Sequence, residues 1–319
     1  MTDHADIPVG QIDEFALIDR LVGGRPPVAG VPVGPGDDAA VVDAPDGRVA
    51  VSTDMLVGGR HFRLDWSTPH EVGRKAIAQN AADIEAIGGR STAFVVAFGA
   101  PVTTPVGAVR QLNDGMWQEA ATVGAAIVGG DLVASPHWVI SVTVLGDLGG
   151  RAPVLRSGAK PGSVLAVCGT LGRSAAGLQL LRRGVGGFDD LTGRHRVPRP
   201  PYGQGRAAAE SGALAMIDVS DGLLADAAHL ASASDVVIDL SRDALGEDVA
   251  AVAEAARACH TDPWPLVLAG GEDHALLGCF PGRVPPGWRV IGAVRAGKGE
   301  VLVDGRPWAG PTGWQSFGG

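Results

Sequence analysis

Short apolar or alternating runs are interleaved with Ala-rich stretches in which apolar residues return every three or four positions. Residues 49–52 and 92–98 read as strands. Between them, Val72, Ala76, Ile77, Ala81, Ile84 and Ile87 fall at helical spacing and predict a helix over 70–87. Residues 105–128 read as a second helix, weakened by Gly115 and Gly124, and residues 138–145 alternate like a strand. The turn-rich stretch GDLGGRAPVLRSGAKPG then predicts a boundary near residue 150. Beyond it the pattern restarts. Strands are predicted at 163–168, 214–219 and 236–240, and helices at 174–182, 222–231 and 246–259. Residues 183–203, loaded with Gly, Arg and Pro, predict an exposed loop. No short internal repeat is present. The chain reads as mixed α and β in two domains, 1–148 and 149–319.

Composition narrows the function. With 319 residues, 45% hydrophobic, 19% charged and a mean hydropathy of +0.16, the chain can bury a core in each of two domains. The 48 Gly and 22 Pro imply many tight turns, and without a Gly-X-Y period they do not indicate collagen. The acids are 26 Asp and 9 Glu, and the bases are 23 Arg and 3 Lys (Lys75, Lys160 and Lys298), for a net charge of −9. That balance argues against a nucleic-acid partner, which calls for a basic face. An acidic protein that handles anions needs metal ions to reverse the local sign. Cys168, Cys259 and Cys279 are far apart, with no CxxC, which removes zinc-site spacing and suits a reducing cytoplasm. The start, MTDHADIPVG, lacks an apolar signal region, and the longest apolar stretch, 93–102, is far shorter than a membrane span.

The candidate chemistry lies in the aspartates. They occur in GPGDDAAVV (Asp37, Asp38), VAVSTDML (Asp54), NAADIEAIGG (Asp83), IVGGDL (Asp131) and MIDVSDGLL (Asp218, Asp221), at the ends of apolar or glycine-rich runs. One such Asp alone is usually a helix cap or turn residue. Five sites of this kind in one chain suggest carboxylates gathered for a hard cation, Mg²⁺ or Ca²⁺, and Mg²⁺ suggests phosphates. In VSTD, Ser52, Thr53 and Asp54 offer two hydroxyls and a carboxylate at what reads as a strand end. In IDVSDGLL, Asp218, Ser220 and Asp221 precede a helix whose N-terminus suits phosphate. The segment 292–298 fits GxxxxGK, but Gly299 stands where a phosphate loop needs Ser or Thr and a strand follows, so it reads as a hairpin turn. His61, in GGRHF, and the acids of LAGGEDH complete the candidates. GxSxG is absent, and no Ser-His-Asp pattern is legible.

Taken in order, GPGDDAAVV, VSTDMLVGGRHF, GRKAIAQNAADIEAIGG, IVGGDL, RSGAKPGS, IDVSDGLLADAAHL and LAGGEDHAL resemble the motifs of the thiamine-monophosphate kinase family. They run from about residue 34 to 277. That family belongs to the ATP-binding superfamily of aminoimidazole ribonucleotide synthetase. The resemblance implies an α+β, PurM-like fold. Its N-terminal domain pairs with a second subunit's into a β-barrel, making a homodimer, and its C-terminal domain is an α/β sandwich that completes the nucleotide and substrate sites. It implies direct, in-line phosphorylation of thiamine monophosphate by ATP to give thiamine diphosphate.

The same resemblance assigns Mg²⁺ to Asp37, Asp38, Ser52, Thr53, Asp54, Asp83, Asp131, Asp218 and Asp221. It assigns ATP to Gly130, Asp131, Arg156 and Ser220, and the thiamine substrate to His61, Glu272 and an aromatic near the C-terminus, here Trp314. Asp54, Asp131 and Asp221 are the expected catalytic carboxylates. The partners implied are thiamine monophosphate and ATP, with no nucleic acid and no membrane. The alternatives are another superfamily enzyme, such as aminoimidazole ribonucleotide synthetase, or a nucleotide-binding module without turnover.

Overall fold

The computed structural model describes residues 6–35 and 39–314. The chain packs as two compact units, Met1–Ile84 with Arg90–Gly150, and Glu85–Gly89 with Arg151–Gly319. The sequence elements of the first unit are α1 (Glu14–Val22), β1 (Ala50–Val57), α2 (Pro69–Ala86), β2 (Arg90–Ala100), α3 (Val106–Thr122), β3 (Ala126–Ala134) and β4 (Val139–Asp147). Its sheet has the order β1-β4-β2-β3, with β2 and β3 parallel and the other neighbours antiparallel. The expected second helix over 105–128 ends early. Gly124, at φ +68, turns the chain, and residues from Ala126 onward join the sheet beside β2.

Side-chain alternation gives this sheet two different faces. Leu56, Phe94, Val96, Phe98, Ile140, Val142 and Val144 are buried. On the opposite face Val51, Met55, Val95 and Val133 are exposed, Val51 and Val133 by 61% and 62%. The two long helices meet through glycines. A Cβ on Gly73 of α2 would lie 2.0 Å from the carbonyl oxygen of Leu112, and one on Gly115 of α3 would lie 2.0 Å from that of His70. Gly115, which weakens α3 as an isolated helix, is thus required by close backbone approach.

The second unit carries β5 (Val164–Cys168), α4 (Arg173–Arg183), α5 (Asp189–Arg196), α6 (Gln204–Glu210), β6 (Ala215–Val219), α7 (Leu223–Ser234), β7 (Val236–Leu240), α8 (Gly246–Ala258), α9 (Pro263–Ala269), β8 (Ala275–Phe280), β9 (Trp288–Ala296) and β10 (Glu300–Val303). Its sheet has the order β10-β7-β9-β5-β8-β6. Leu165 and Val167 enter one core with Ile217, Leu277 and the inner sides of α4, α7 and α8, while Ala166 and Cys168 enter another with Met216, Phe280 and Trp288. A strand buried on both sides by period two is what a sheet between two layers requires.

Two expectations are corrected here. Residues 183–203 are not all loop, because α5 lies within them. Its Leu191, Thr192 and His195 are buried, with Asp189 and Asp190 in its first turn and Arg194, His195 and Arg196 in its last, matching the helix dipole. Gly177 of α4 lets the Leu191 carbonyl within 2.1 Å of its missing Cβ position. The GxxxxGK segment is the end of β9, residues 292–296, followed by a reversal at 297–299, and it is not a paired hairpin, because β7 lies between β9 and β10. A Cβ on Gly297 would meet the Val237 side chain at 2.2 Å.

Among the described residues no helix is long and apolar enough to cross a membrane. Cys168, Cys259 and Cys279 are free and buried. Burial pushes the Cys168 thiol up to about 11 and the Cys279 thiol up to about 12.

Gly115→Ala is expected to lower stability by about 1–3 kcal/mol, because the added methyl must push α2 and α3 apart. Thermal unfolding of the variant beside Gly124→Ala, which has no neighbour within 4 Å but a φ of +68, separates crowding from backbone strain. An unchanged unfolding midpoint for Gly115→Ala would refute the close approach.

Candidate functional site

In the first unit the site starts from the pleat of β1. Ser52, Thr53 and Asp54 lie in mid-strand rather than at a strand end, so the pleat divides them between two faces. Ser52 and Asp54 meet α2. The Ser52 hydroxyl donates to Asp83 Oδ2 at 2.6 Å, Gln79 Nε2 donates to Asp54 Oδ2 at 3.1 Å, and the Asp54 backbone N–H donates to Asn80 Oδ1 at 3.1 Å. Gln79, Asn80 and Asp83 share one helix face by their spacing. Thr53 points the other way, where its hydroxyl donates to the Val142 carbonyl at 3.0 Å and lies 3.2 Å from Thr143 Oγ1. It therefore does not join Ser52 and Asp54 as expected.

Asp131 is not at a strand end either. It lies within β3, in register with Ala97 of β2, Ser141 of β4 and Met55 of β1. Within this unit it is three strand spacings from β1, about 14 Å, and on the face opposite Asp54. Gly130 precedes it because a Cβ there would lie 2.1 Å from the Val96 carbonyl oxygen. Beside Gly130 and Asp131 opens a cavity of about 590 Å³, walled by Ile18, Leu21, Val96, Leu112 and Met116. His61 Nδ1 accepts the Val57 backbone N–H at 3.0 Å, so the neutral ring carries its proton on Nε2. The buried Lys75 ammonium donates to the His61 carbonyl at 3.0 Å. Asp37 and Asp38 lie outside the described residues.

The second unit gathers its candidates at the turn from β6 to α7. Asp218 is buried, with its Oδ2 3.1 Å from His274 Nδ1. The backbone N–H groups of Asp221 and Gly222 both donate to Asp226 Oδ2 at 3.0 Å. Burial pushes the Asp226 carboxyl up to about 7, with the negative charges of Asp218 and Asp221 adding to it. Segment 271–274 lies along this turn. Glu272 N–H donates to the Ser220 carbonyl at 2.7 Å and His274 N–H to the Val219 carbonyl at 2.8 Å. Glu272 and His274 have φ of +64 and +50, and the carboxyl of the intervening Asp273 accepts the backbone N–H groups of Gly172 and Ser174 at 2.5 and 3.0 Å. A Cβ on Gly271 would meet the Ser220 carbonyl at 2.6 Å, so the diglycine permits close approach here and is more than a turn.

The C-terminal segment is fixed beside the same turn. The Trp314 N–H donates to the Asp221 carbonyl at 2.9 Å, while its side chain is 52% exposed. Farther back the Arg242 guanidinium stacks 4.3 Å from the Trp264 ring centre and 5.8 Å from that of Trp308. Asp218, Ser220, Asp221, Glu272 and the Trp314 backbone are thus brought together in one unit. Arg156 is exposed, one residue after the Leu155 carbonyl that accepts the Met216 N–H at the start of β6. Gln79, Asn80 and Asp226 are not among the candidates that the motifs singled out. The adjacent run QNAAD, with polar groups at positions 79, 80 and 83, was the signal for the first two. Among the described residues no three acidic, histidine or cysteine side chains form a ready-made metal cage.

Comparison with known proteins decides the family. Residues 36–148 match the family described as AIR synthase related protein, N-terminal domain. Over 308 residues, 97% of this chain and 92% of the relative, the chain is 66% identical to a thiamine-monophosphate kinase of Mycobacterium tuberculosis. This chain belongs to the thiamine-monophosphate kinase family. The crystal structure of thiamine monophosphate kinase from Aquifex aeolicus is 30% identical with a TM-score of 0.76, covering 94% of this chain and 98% of that one. A structure described as AaThiL complexed with AMPPCP and TMP is 31% identical with a TM-score of 0.78, covering 95% and 96%. The expected α+β fold of this kinase family is what the chain adopts.

Asp273 yields a pH test. Burial pushes its carboxyl up to about 7 from 3.8. Between about pH 4 and 7 the folded state therefore keeps a proton that the unfolded chain has released. The stability from this group is full below about pH 4 and is lost as pH rises through 7. Asp273→Asn should flatten that decline, measured as urea midpoints from pH 4.5 to 8; an equally steep decline in the variant would show that another group is responsible.

Proposed function

We propose that the chain transfers the terminal phosphoryl group of ATP to thiamine monophosphate, giving ADP and thiamine diphosphate. Membership of the thiamine-monophosphate kinase family supports this, and the observation that carries it is the β6–α7 turn. Its carboxylates, helix N-terminus, neighbouring glutamate and adjoining tryptophan provide for phosphates and for a cationic ring. Three acids crowded there, with Asp226 pushed up by burial and then by the charges of Asp218 and Asp221, call for a cation. The donors are oxygens throughout, and Mg²⁺ takes one or two carboxylates together with water and phosphate oxygens, so a full protein cage is not required. We assign Asp218 and Asp221 to Mg²⁺ in the second unit, and Ser52, Asp54 and Asp83 in the first, and the motif GPGDDAAVV adds Asp37 or Asp38 to the assignment. Bound there, Mg²⁺ neutralises phosphate charge and offsets the repulsion between two polyanions.

The chain's own groups do the positioning. Ser220 and the N-terminal N–H groups of α7 receive nucleotide phosphate. Gly130 and Asp131 border the apolar cavity in the first unit, and we assign these two residues and Arg156 to the nucleotide. The acceptor oxygen belongs to a phosphate that is largely ionised at neutral pH, so no strong base is needed. Transfer is in line, without a phosphoenzyme, and catalysis comes from orientation and charge balance. Glu272 faces the cationic thiazolium and Trp314 offers it an aromatic face; in the first unit, His61 is assigned to the same substrate. The exposed apolar face of the first unit's sheet supports a homodimer in which a second copy covers it. Buried free thiols agree with a cytoplasmic enzyme.

ADP release should depend on both thiamine monophosphate and Mg²⁺. Asp54→Asn and Asp221→Asn should each lower kcat by about a hundredfold or more. ADP release indifferent to the acceptor, or full activity after chelation and dialysis, would refute the reading. Sedimentation should give a dimer, and Val95→Asp with Val133→Asp should give monomers; a wild-type monomer would remove the second copy.

A further inference from the structure

The acceptor-side carboxylate, Glu272, has a partner 77 positions away along the chain. Glu272 projects from a residue at φ +64, so its backbone is committed, but its side chain keeps three rotatable bonds and is partly exposed. His195, on α5, places Nδ1 3.2 Å from Glu272 Oε2. The same Nδ1 lies 3.2 Å from Ser174 Oγ. A carboxylate at that distance favours a proton on Nδ1, and the hydroxyl shares it. His195 is itself held. Its side chain is 7% exposed, and Ser174 is tied through its backbone N–H to Asp273, the neighbour of Glu272. Three consecutive side chains thus reach three elements: Glu272 meets α5, Asp273 the start of α4, and His274 the end of β6.

We propose that His195 is a positioning residue that holds the Glu272 carboxylate in its ligand-ready orientation and thereby sets affinity for the cationic acceptor. A glutamate free to rotate must be ordered when the acceptor binds, and that cost weakens binding. The contact with Nδ1 removes the cost before the acceptor arrives. Because it acts through Glu272, His195 affects the acceptor and leaves the nucleotide untouched. The inference rests on the assignment of Glu272 to the acceptor side.

The test is steady-state kinetics on the full chain for wild type, His195→Phe, His195→Met, His195→Asn and Glu272→Gln, each checked by thermal unfolding. The two variants without a donor should raise KM for thiamine monophosphate about tenfold and leave KM for ATP within about twofold. His195→Asn, whose Nδ2 takes the place of Nδ1, should restore most of that affinity. In a Glu272→Gln background, His195→Phe should add little, because the two act as one unit. If His195→Phe does not fold, His195→Met carries the same comparison. An equal rise in both KM values, an Asn variant as impaired as the Phe variant, or additive effects in the double variant would overturn the proposal. If Glu272→Gln leaves KM for thiamine monophosphate unchanged, the acceptor assignment of Glu272 fails and takes this proposal with it. If Glu272→Gln raises that KM while the His195 variants do not, only the role of His195 is refuted.

Discussion

Asp218 near the end of β6, Asp221 in the turn that follows and Asp226 in the first turn of α7 lie close together, and burial with their mutual repulsion is the constraint around which the second unit's site is built. Lysine does not relieve it, since the chain has only three. Relief comes from fixed dipoles and one imidazole. Two backbone N–H groups point at Asp226, and His274 stands beside Asp218. Concentrated negative charge kept in place by backbone groups costs stability when empty and strengthens the attraction for a cation. Segment 271–274 then locks to the same turn, and the C-terminal segment ends on the Asp221 carbonyl. Ser220, Glu272 and Trp314, the second unit's residues assigned to the two substrates, therefore inherit their positions from one short stretch of backbone.

The first unit solves a different problem, one of packing. Gly73 and Gly115 bring α2 and α3 together without side chains between them. The face of α2 carrying Gln79, Asn80 and Asp83 lies over β1, where the pleat presents Ser52 and Asp54. The opposite face leaves Val51, Met55, Val95 and Val133 exposed in the single chain, with Thr53 and Asp131 among them. One sheet thus holds polar chemistry under a helix on one side and a surface fit for association on the other.

Periodicity made most elements legible before any coordinates were considered. β7 occupies the predicted residues 236–240, and α8 and α2 match their predicted helices within one residue at either end. What it missed has physical causes. α5 hides in a stretch whose Gly and Arg content looks like loop, and it is stabilised by three buried side chains and charged ends rather than by propensity. β9 and β10 flank a strand far away in sequence, a pairing that no local pattern encodes. For the candidate site, the motifs singled out Asp54, Asp83, Asp218 and Asp221, because a carboxylate beside an apolar run is unusual, and the structure sets the first pair together between β1 and α2 and the second pair around the β6–α7 turn. They could not separate Thr53 from its neighbours without knowing that the strand continues to Val57. His195 was invisible because its contact with Glu272 spans 77 positions of sequence.

The buried thiols have a practical consequence. A thiol pushed up to about 11, as at Cys168, is ionised in only about one molecule in ten thousand at neutral pH, and Cys279 still less. Cys259 is enclosed in the same core as Cys279. Maleimide and iodoacetamide react with accessible thiolates, so the folded chain offers them almost nothing. A cysteine introduced on the exposed segment around Leu155 or at Trp314 would become a unique attachment point, and a fluorophore there could report on ligand binding without first stripping the native sulfurs.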